Sequence, residues 1–315
     1  MNTIKRKQPH RRNRFLPPAT WAVSFILAAC DISPQDKPEA KENEVSIKRP
    51  EIKLNETKVA FFTNLERKAV EAFQSDELVR CKQLIHQGLN ETQRAGREYE
   101  IYEARFSLLR GKLAQKQGRS TDARRFLGDA MAVFRIRKNA QGTFEVHLAQ
   151  STIEENAGDF AAAQREIDEA QKLLPKIDDP QLKGAFIMNQ ASLLVRQMKH
   201  VEAAKLFLEA AQHFHSIDAK LQEADAFVLL ASCEEAIDKA REAQNSLEKA
   251  YKIYTAENSK EGAVKALHKL ALFSLREERY KKAKEQLQKV ESLYLELDRP
   301  SDATKVNQHL SALPE

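Results

Sequence analysis

The sequence predicts an all-α fold, a solenoid of stacked antiparallel helical hairpins, and three observations predict it. Five columns of residues recur at a fixed spacing of 40 over five units without a gap, and a long period of this kind marks a repeat array. Beyond residue 51 the chain is rich in Ala, Leu, Glu, Lys and Gln, the strong helix formers. Nine glycines and ten prolines in 315 residues are few, and most of the prolines fall before residue 51. Runs of alternating β-branched residues are absent, so no sheet is expected.

Residues 1–29 read as a leader. Lys5, Arg6, Lys7, Arg11, Arg12 and Arg14 make a basic start without an acidic residue, and Trp21 to Ala29 is a short apolar run. A charged zone, an apolar zone and a small-residue cleavage site are the parts of a signal peptide. The apolar run falls short of the roughly 20 residues that a spanning helix needs. Its end, Leu27-Ala28-Ala29-Cys30, resembles the lipobox of bacterial lipoproteins. The resemblance implies a diacylglycerol on the Cys30 thiol, cleavage between Ala29 and Cys30, and acylation of the new amine. Several acyl chains make a lasting anchor where one would be marginal. Within the same resemblance Asp31 favours the inner membrane, with the outer membrane as the alternative. Arg11-Arg12-Asn13-Arg14-Phe15-Leu16 is also similar to a twin-arginine export signal, but the Phe-Leu pair falls one place late, and ordinary secretion is expected.

The leader also accounts for the formal charge of +5. Removing its six basic residues from the 51 in the chain leaves 45 against 46 acidic ones, a net of −1. A nucleic-acid binder needs its positive charge on the folded body, so nucleic acid is not an expected partner. Residues 30–55, the lipidated cysteine and a polar, charged stretch with Pro34, Pro38 and Pro50, form a flexible tether. Such composition buries too little apolar surface to offset its ordering entropy. A random coil of this length spans about 25–30 Å.

Residues 56–98 read as a decayed helical hairpin. Ala69, Cys81, Ile85 and Gly88 reproduce the repeat spacing with a two-residue slip. Residues 99–298 hold the five regular units. Their anchors are Ala123, Ala163, Ala203, Ala243 and Ala283, each followed four residues on by Leu127, Ile167, Phe207, Leu247 and Leu287. Three further on come Ala130, Ala170, Ala210, Ala250 and Val290, and four more give Phe134, Leu174, Phe214, Tyr254 and Tyr294. Offsets of four, three and four put these residues on one stripe of a helix. Twelve residues before each anchor sits another small residue, Gly111, Ser151, Ala191, Ala231 or Ala271. It belongs to a preceding helix, separated by turns such as Gln117-Gly118-Arg119 and Ala157-Gly158-Asp159. Small residues meet where the two helices cross, large ones fill the gap to the next unit, and stacking buries what a single hairpin cannot. The aromatic column is therefore packing. Residues 299–315 give a capping helix from Pro300 to about Leu313, with Ser301 as the N-cap candidate. Val306, Leu310 and Leu313 are placed to cover the last hairpin, while Lys305, Gln308 and His309 face water.

Gly158-Asp159-Phe160-Ala161-Ala162-Ala163 with Ile167, Ala170 and Pro175 resembles the second half of a tetratricopeptide repeat, as does Arg279-Tyr280-Lys281-Lys282-Ala283 with Leu287. The resemblance covers about residues 100–298 and implies a right-handed superhelix. It departs from the family in three ways. The usual period is 34, so six extra residues lengthen the helices or the loops; the usual aromatic of the first helix is absent; and Met198, Asp238 and Glu278 replace the turn glycine.

No catalytic constellation stands out, so an enzyme, a cofactor and a small-molecule substrate are not expected. No His-Glu-x-x-His, phosphate-cradling glycine loop or Gly-x-Ser-x-Gly occurs. His10, His86, His147, His200, His268 and His309 lack metal-ligand companions. His213 and His215, two apart on a helix, point to different faces. Cys81 and Cys233 lie about four repeats apart, roughly 30–40 Å against the roughly 7 Å between Cα atoms that a disulfide tolerates, and read as buried apolar residues.

A stacked array has a concave face lined by the first helix of every unit, and such faces bind peptides or partner proteins. In the tetratricopeptide family the ligand positions lie on that helix. The resemblance carries them to Lys112 and Lys116, then Thr152, Glu155 and Asn156, then Ser192 and Arg196, then Ser232 and Glu235, and last Arg276, with Lys265 added from earlier on the same helix. The family's carboxylate-clamp set is not reproduced. Lys112, Lys116, Arg196 and Arg276 give the face a mild basic bias. The expectation is a lipid-anchored scaffold facing the periplasm that binds other proteins and assembles an envelope complex for pilus, secretion or peptidoglycan work. The alternative is a cytosolic peptide-responsive regulator.

Overall fold

The computed structural model describes residues 54–311 and Leu313. The leader and tether expectations, Ala29, Cys30 and Asp31 included, lie outside the described residues. The described residues form one compact unit. Among the described residues it holds thirteen α-helices and no strand. They are α1 (Glu56–Gln74), α2 (Leu78–Ala95), α3 (Glu100–Lys116), α4 (Ser120–Ile136), α5 (Ala140–Ala157), α6 (Phe160–Leu173) and α7 (Pro180–Arg196). After these come α8 (His200–Ser216), α9 (Lys220–Ala236), α10 (Ala240–Ala256), α11 (Lys260–Arg276), α12 (Tyr280–Glu296) and α13 (Pro300–Ser311). Consecutive helices pack in antiparallel pairs, and each pair stacks on the next to make an α-solenoid.

The turns explain the period. Gly118 has φ 74°, its N–H donates to the Gln115 carbonyl, and the next N–H, of Arg119, donates to Ala114 at 2.9 Å. This doubly bonded left-handed cap returns every 20 residues, at Lys138, Gly158, Met198, Asp218, Asp238, Asn258, Glu278 and Asp298. A regular helix has 17 residues and a turn has three, so 40 is two identical helix–turn steps. The six residues beyond the usual period therefore lengthen the helices, and the loops stay short. One step breaks the rule. Pro175 cannot supply a helical N–H, so α6 stops at Leu173 and a 3-10 turn, Leu174–Lys176, carries the chain to α7, which Asp179 caps through the Gln181 N–H.

The anchor alanines at 123, 163, 203, 243 and 283 are at most 1% exposed, and so are the small residues Ala191, Ala231 and Ala271 of the facing helices. Close helix crossing needs this. Phe134, Phe214 and Tyr254 are buried at the seam to the next first helix or within their own hairpin, and a Cβ at Gly142, Gly184 or Gly262 would stand 2.1–2.5 Å from those rings. The first helices do hold buried aromatics, Phe106, Phe144, Phe186 and Phe273, in columns that are buried in every unit, with Phe106 and Phe186 two periods apart in the same one. At the far end Val306 is buried, and Leu310 and Leu313 pack on the cluster around Leu287 and Val290. Ser301 is not the cap of α13. The helix starts at Pro300, and it is the Arg299 guanidinium that reaches Asp302 in the first turn, at 2.8 Å.

Candidate functional site: a groove on the first helices

Stacking of the hairpins leaves the first helices α1, α3, α5, α7, α9 and α11 along one side, and α1 touches α3, α3 touches α5, α5 touches α7, and α9 touches α11. Side chains one hairpin apart can therefore meet, and they do. Lys112 on α3 pairs with Glu145 on α5 at 2.8 Å, and Arg105 bonds Glu66 of α1 at 3.0 and 3.2 Å. Thr152 on α5 donates to the Asn189 amide oxygen on α7 at 3.0 Å. Arg196 on α7 reaches back to Glu155 at 3.2 Å and to the Asn156 amide oxygen at 3.5 Å. Lys269 on α11 donates to the Ser232 hydroxyl of α9 at 2.9 Å, and Arg276 pairs with Glu235 at 2.5 Å.

Seven of the ten sequence-predicted face residues are thus tied across hairpin seams to one another or to near neighbours, and Lys116 pairs with Asp76 of the first turn at 2.6 Å. Ser192 is half-buried and hydrogen-bonds no described side chain, and Lys265 is exposed beside Asp225. The pairing corrects the basic bias. Lys112, Arg196 and Arg276 each sit against a carboxylate, so the face does not offer them as free positive charge. Burial pushes the Glu155 carboxyl up from its ordinary value even though Arg196 pulls it down, and the same opposition acts on Glu66 beside Arg105. A partly buried pair of this kind is costly to break by removing one partner.

Between these bridges lies an open groove of about 550 Å³, lined by α3, α5 and α7 with Phe73 from the end of α1. Its apolar lining comes from Phe73, Leu148 and Leu182. Its polar lining comes from Gln115, Asn156 and Asn189 with Lys112, Lys116 and Thr152. Four of the predicted positions, counting Thr152, meet here. Lys116 also lies 5.1 Å above the Phe73 ring, a contact that fixes its ammonium at the groove mouth. Glu145, Asn189 and Phe73 escaped the sequence reading. The only trace of the first two was complementary chemistry one hairpin away from Lys112 and Thr152.

Among the described residues no group of three or more His, Cys, Asp or Glu side chains is placed to hold a metal ion, and no helix is long and apolar enough to cross a membrane. Cys81 and Cys233 are both free and buried. His213 bonds the Pro180 carbonyl at 2.7 Å, while His215, on another face, meets Glu223 at 3.0 Å.

The fold is that of a tetratricopeptide-like helical solenoid. Residues 183–310 match the family model of the soluble NSF attachment protein, SNAP. Among solved structures, a signal transduction ATPase with numerous domains and a tetratricopeptide repeat sensor, from Pyrococcus horikoshii, aligns with a TM-score of 0.64 at 14% identity. That match covers 79% of this chain but only 37% of the archaeal one. A Rap protein complexed with competence and sporulation factor aligns at 0.61 and 17% identity, over 81% of this chain and 71% of its own. BtubC from P. vanneervenii aligns at 0.56 and 15%, over 74% and 92%. At such identities the likeness is one of fold. No curated protein is significantly similar to the chain.

Proposed function

We propose that this protein is a non-catalytic scaffold, held to the bacterial envelope by lipid on Cys30 and facing the periplasm, whose groove takes a segment of a partner protein. The observation that carries the binding role is the groove itself. It brings apolar side chains and side-chain amides into one lining, which suits a peptide with apolar side chains and backbone groups to satisfy. Its place on the first helices supports reading that face as the concave one, because helices that touch from hairpin to hairpin lie on the inside of a curved stack. The lipid anchor rests on Leu27-Ala28-Ala29-Cys30 after a basic and then an apolar zone. Assembly of a pilus, secretion or peptidoglycan complex is the class of work such an anchored scaffold does. Inner-membrane placement rests on Asp31 alone.

The groove is tested by filling it without cutting a seam. Ala185 is half-buried in its lining and takes part in no pairing across a seam; its carbonyl accepts from the Asn189 amide of the same helix at 2.9 Å. Ala185→Trp is expected to abolish capture of envelope partners cross-linked to the wild type, with the melting temperature held; capture at the wild-type level sinks the groove assignment. The triple change of Lys112, Arg196 and Arg276 is the poorer probe, because those residues also hold hairpins together. Metabolic labelling with a palmitate analogue tests the anchor separately. Label on the wild type and none on Cys30→Ala supports it. Uncut, unlabelled, soluble protein replaces it with the cytosolic peptide-responsive regulator.

A further inference from the structure

The hairpin α3–α4 is the most basic part of the described fold. Residues 100–138 carry ten basic side chains against four acidic ones. Its neighbours neutralise much of this, since Arg105, Lys112, Lys116 and Arg124 each pair with a carboxylate of another hairpin. Arg110, Arg119 and Arg125 are not matched in this way. Arg119 and Arg125 share a single carboxylate, Asp122, at 2.9 and 3.3 Å, and Arg110 makes no ion pair among the described residues.

The Arg110 guanidinium instead lies 4.0 Å from the centroid of the buried Phe126 ring, and that of Arg125 lies 4.7 Å from the same centroid. One aromatic ring thus holds two like charges close together. Partial burial, and then repulsion from Arg125, lower the proton affinity of Arg110, while Asp122 and Asp129 act in the opposite sense. Arg110 and Arg125 retain forked N–H donors with few acceptors, the one making no ion pair among the described residues and the other sharing Asp122 with Arg119.

We propose that Arg110 and Arg125, oriented by the Phe126 ring, form a binding site for a phosphate group, free or carried by a phospholipid headgroup. A carboxylate is planar and is satisfied by one guanidinium fork. A tetrahedral phosphate has oxygens enough to accept from two forks at once and charge enough to relieve their repulsion. The stacking removes side-chain freedom beforehand, which lowers the cost of binding. The site is independent of the groove and of the lipid anchor.

The test uses the full chain and inorganic phosphate, titrated against chloride at matched ionic strength and read as a rise in melting temperature. The wild type is expected to show a phosphate-specific rise. Arg125→Gln, at a largely exposed position, is expected to weaken the apparent affinity about tenfold, the worth of one charge-assisted contact. Arg110→Lys, which keeps the charge and loses the fork, is expected to weaken it as well, and Arg165→Gln on α6 is expected to leave it unchanged. A wild type that does not distinguish phosphate from chloride overturns the proposal, as does a rise that survives both variants. Co-flotation with phosphatidylglycerol vesicles but not phosphatidylcholine ones, lost in Arg125→Gln, identifies the source as lipid. Phosphate binding without flotation identifies it as free phosphate.

Discussion

Among the described residues, eight other than glycine hold a left-handed backbone at φ between 52° and 61°, and the choice at each position is a small energetic decision. Asp and Asn tolerate the conformation through their short polar side chains, and Asp76, Asp218, Asp238, Asn258 and Asp298 occupy five of the eight. Lys138, Met198 and Glu278 have no such help. Met198 is 76% exposed, so its side chain contributes little packing in return. Met198→Gly is therefore expected to stabilise the fold by about 1 kcal/mol, as a shift in the denaturant midpoint without a change in slope. An unchanged or lowered midpoint would mean that the side chain packs more than its exposure implies. Sequence reading located these turns as departures from a glycine pattern at 198, 238 and 278. It could not tell that the departures leave the backbone where glycine would have put it. The bonds that hold it there, such as Lys199 N–H to the Leu194 carbonyl at 2.9 Å, depend on both flanking helices.

On the scale of helices, propensity and packing oppose each other at the seam glycines. Gly262 lies inside α11, where alanine would be the better helix former by about 1 kcal/mol. Its missing Cβ is where the Tyr254 ring sits, 2.1 Å from the position a Cβ would take. Gly262→Ala is expected to destabilise the protein by about 1–3 kcal/mol net, because the ring cannot move away without disturbing its hydroxyl bond to Asp225. Chemical denaturation measures this, and a neutral or stabilising result would show that the seam between α10 and α11 is loose. The helix stripes were legible in sequence because every member of a column answers to the same 3.6-residue geometry. Phe106, Phe144 and Phe186 were not, because their columns vary in size from unit to unit: position 106 is followed by Val146, Phe186, Ala226 and Ala266, all buried, each fitted to its own seam.

In a linear array each hairpin contacts only its neighbours, so whole-molecule stability is a chain of local terms with weak points at particular seams. One seam is electrostatic. The ten basic and four acidic residues of 100–138 face residues 140–173, which carry two basic and seven acidic ones. Lys112–Glu145 and Arg124–Glu154 cross the junction. Another weak point is His268 near the end of the array. It occupies a column that holds Leu108, Leu148, Met188 and Val228 in the earlier units, and its Nε2 is buried without a hydrogen-bond partner. Burial, and then His309, lower its proton affinity in the fold. The folded state thus keeps His268 neutral, and its contribution is fully present above the unfolded value of about 6.5. As pH falls below that value the unfolded chain takes up the proton first, and stability is lost. His268→Leu is expected to raise the melting temperature and to flatten its decline between about pH 6.5 and 5. The same decline in the variant would assign the acid sensitivity to other groups.

What the sequence determined by itself was periodic: an all-α solenoid, its hairpins and its buried columns. A residue that answers to a helix stripe or a turn repeats with the unit, so one chain of 315 residues displays its own rule five times. Tertiary structure alone decided which first-helix side chains are free and which are spent. Lys112, Arg196 and Arg276 have one meaning on a helical wheel and another once Glu145, Glu155 and Glu235 arrive from the next hairpin. The groove beside them, and the ring that gathers Arg110 and Arg125, exist only where particular helices meet. The physical reason is range. Backbone geometry is local and is written in the spacing of residues, whereas charge pairing and free space depend on the distance between side chains some 30 to 41 positions apart.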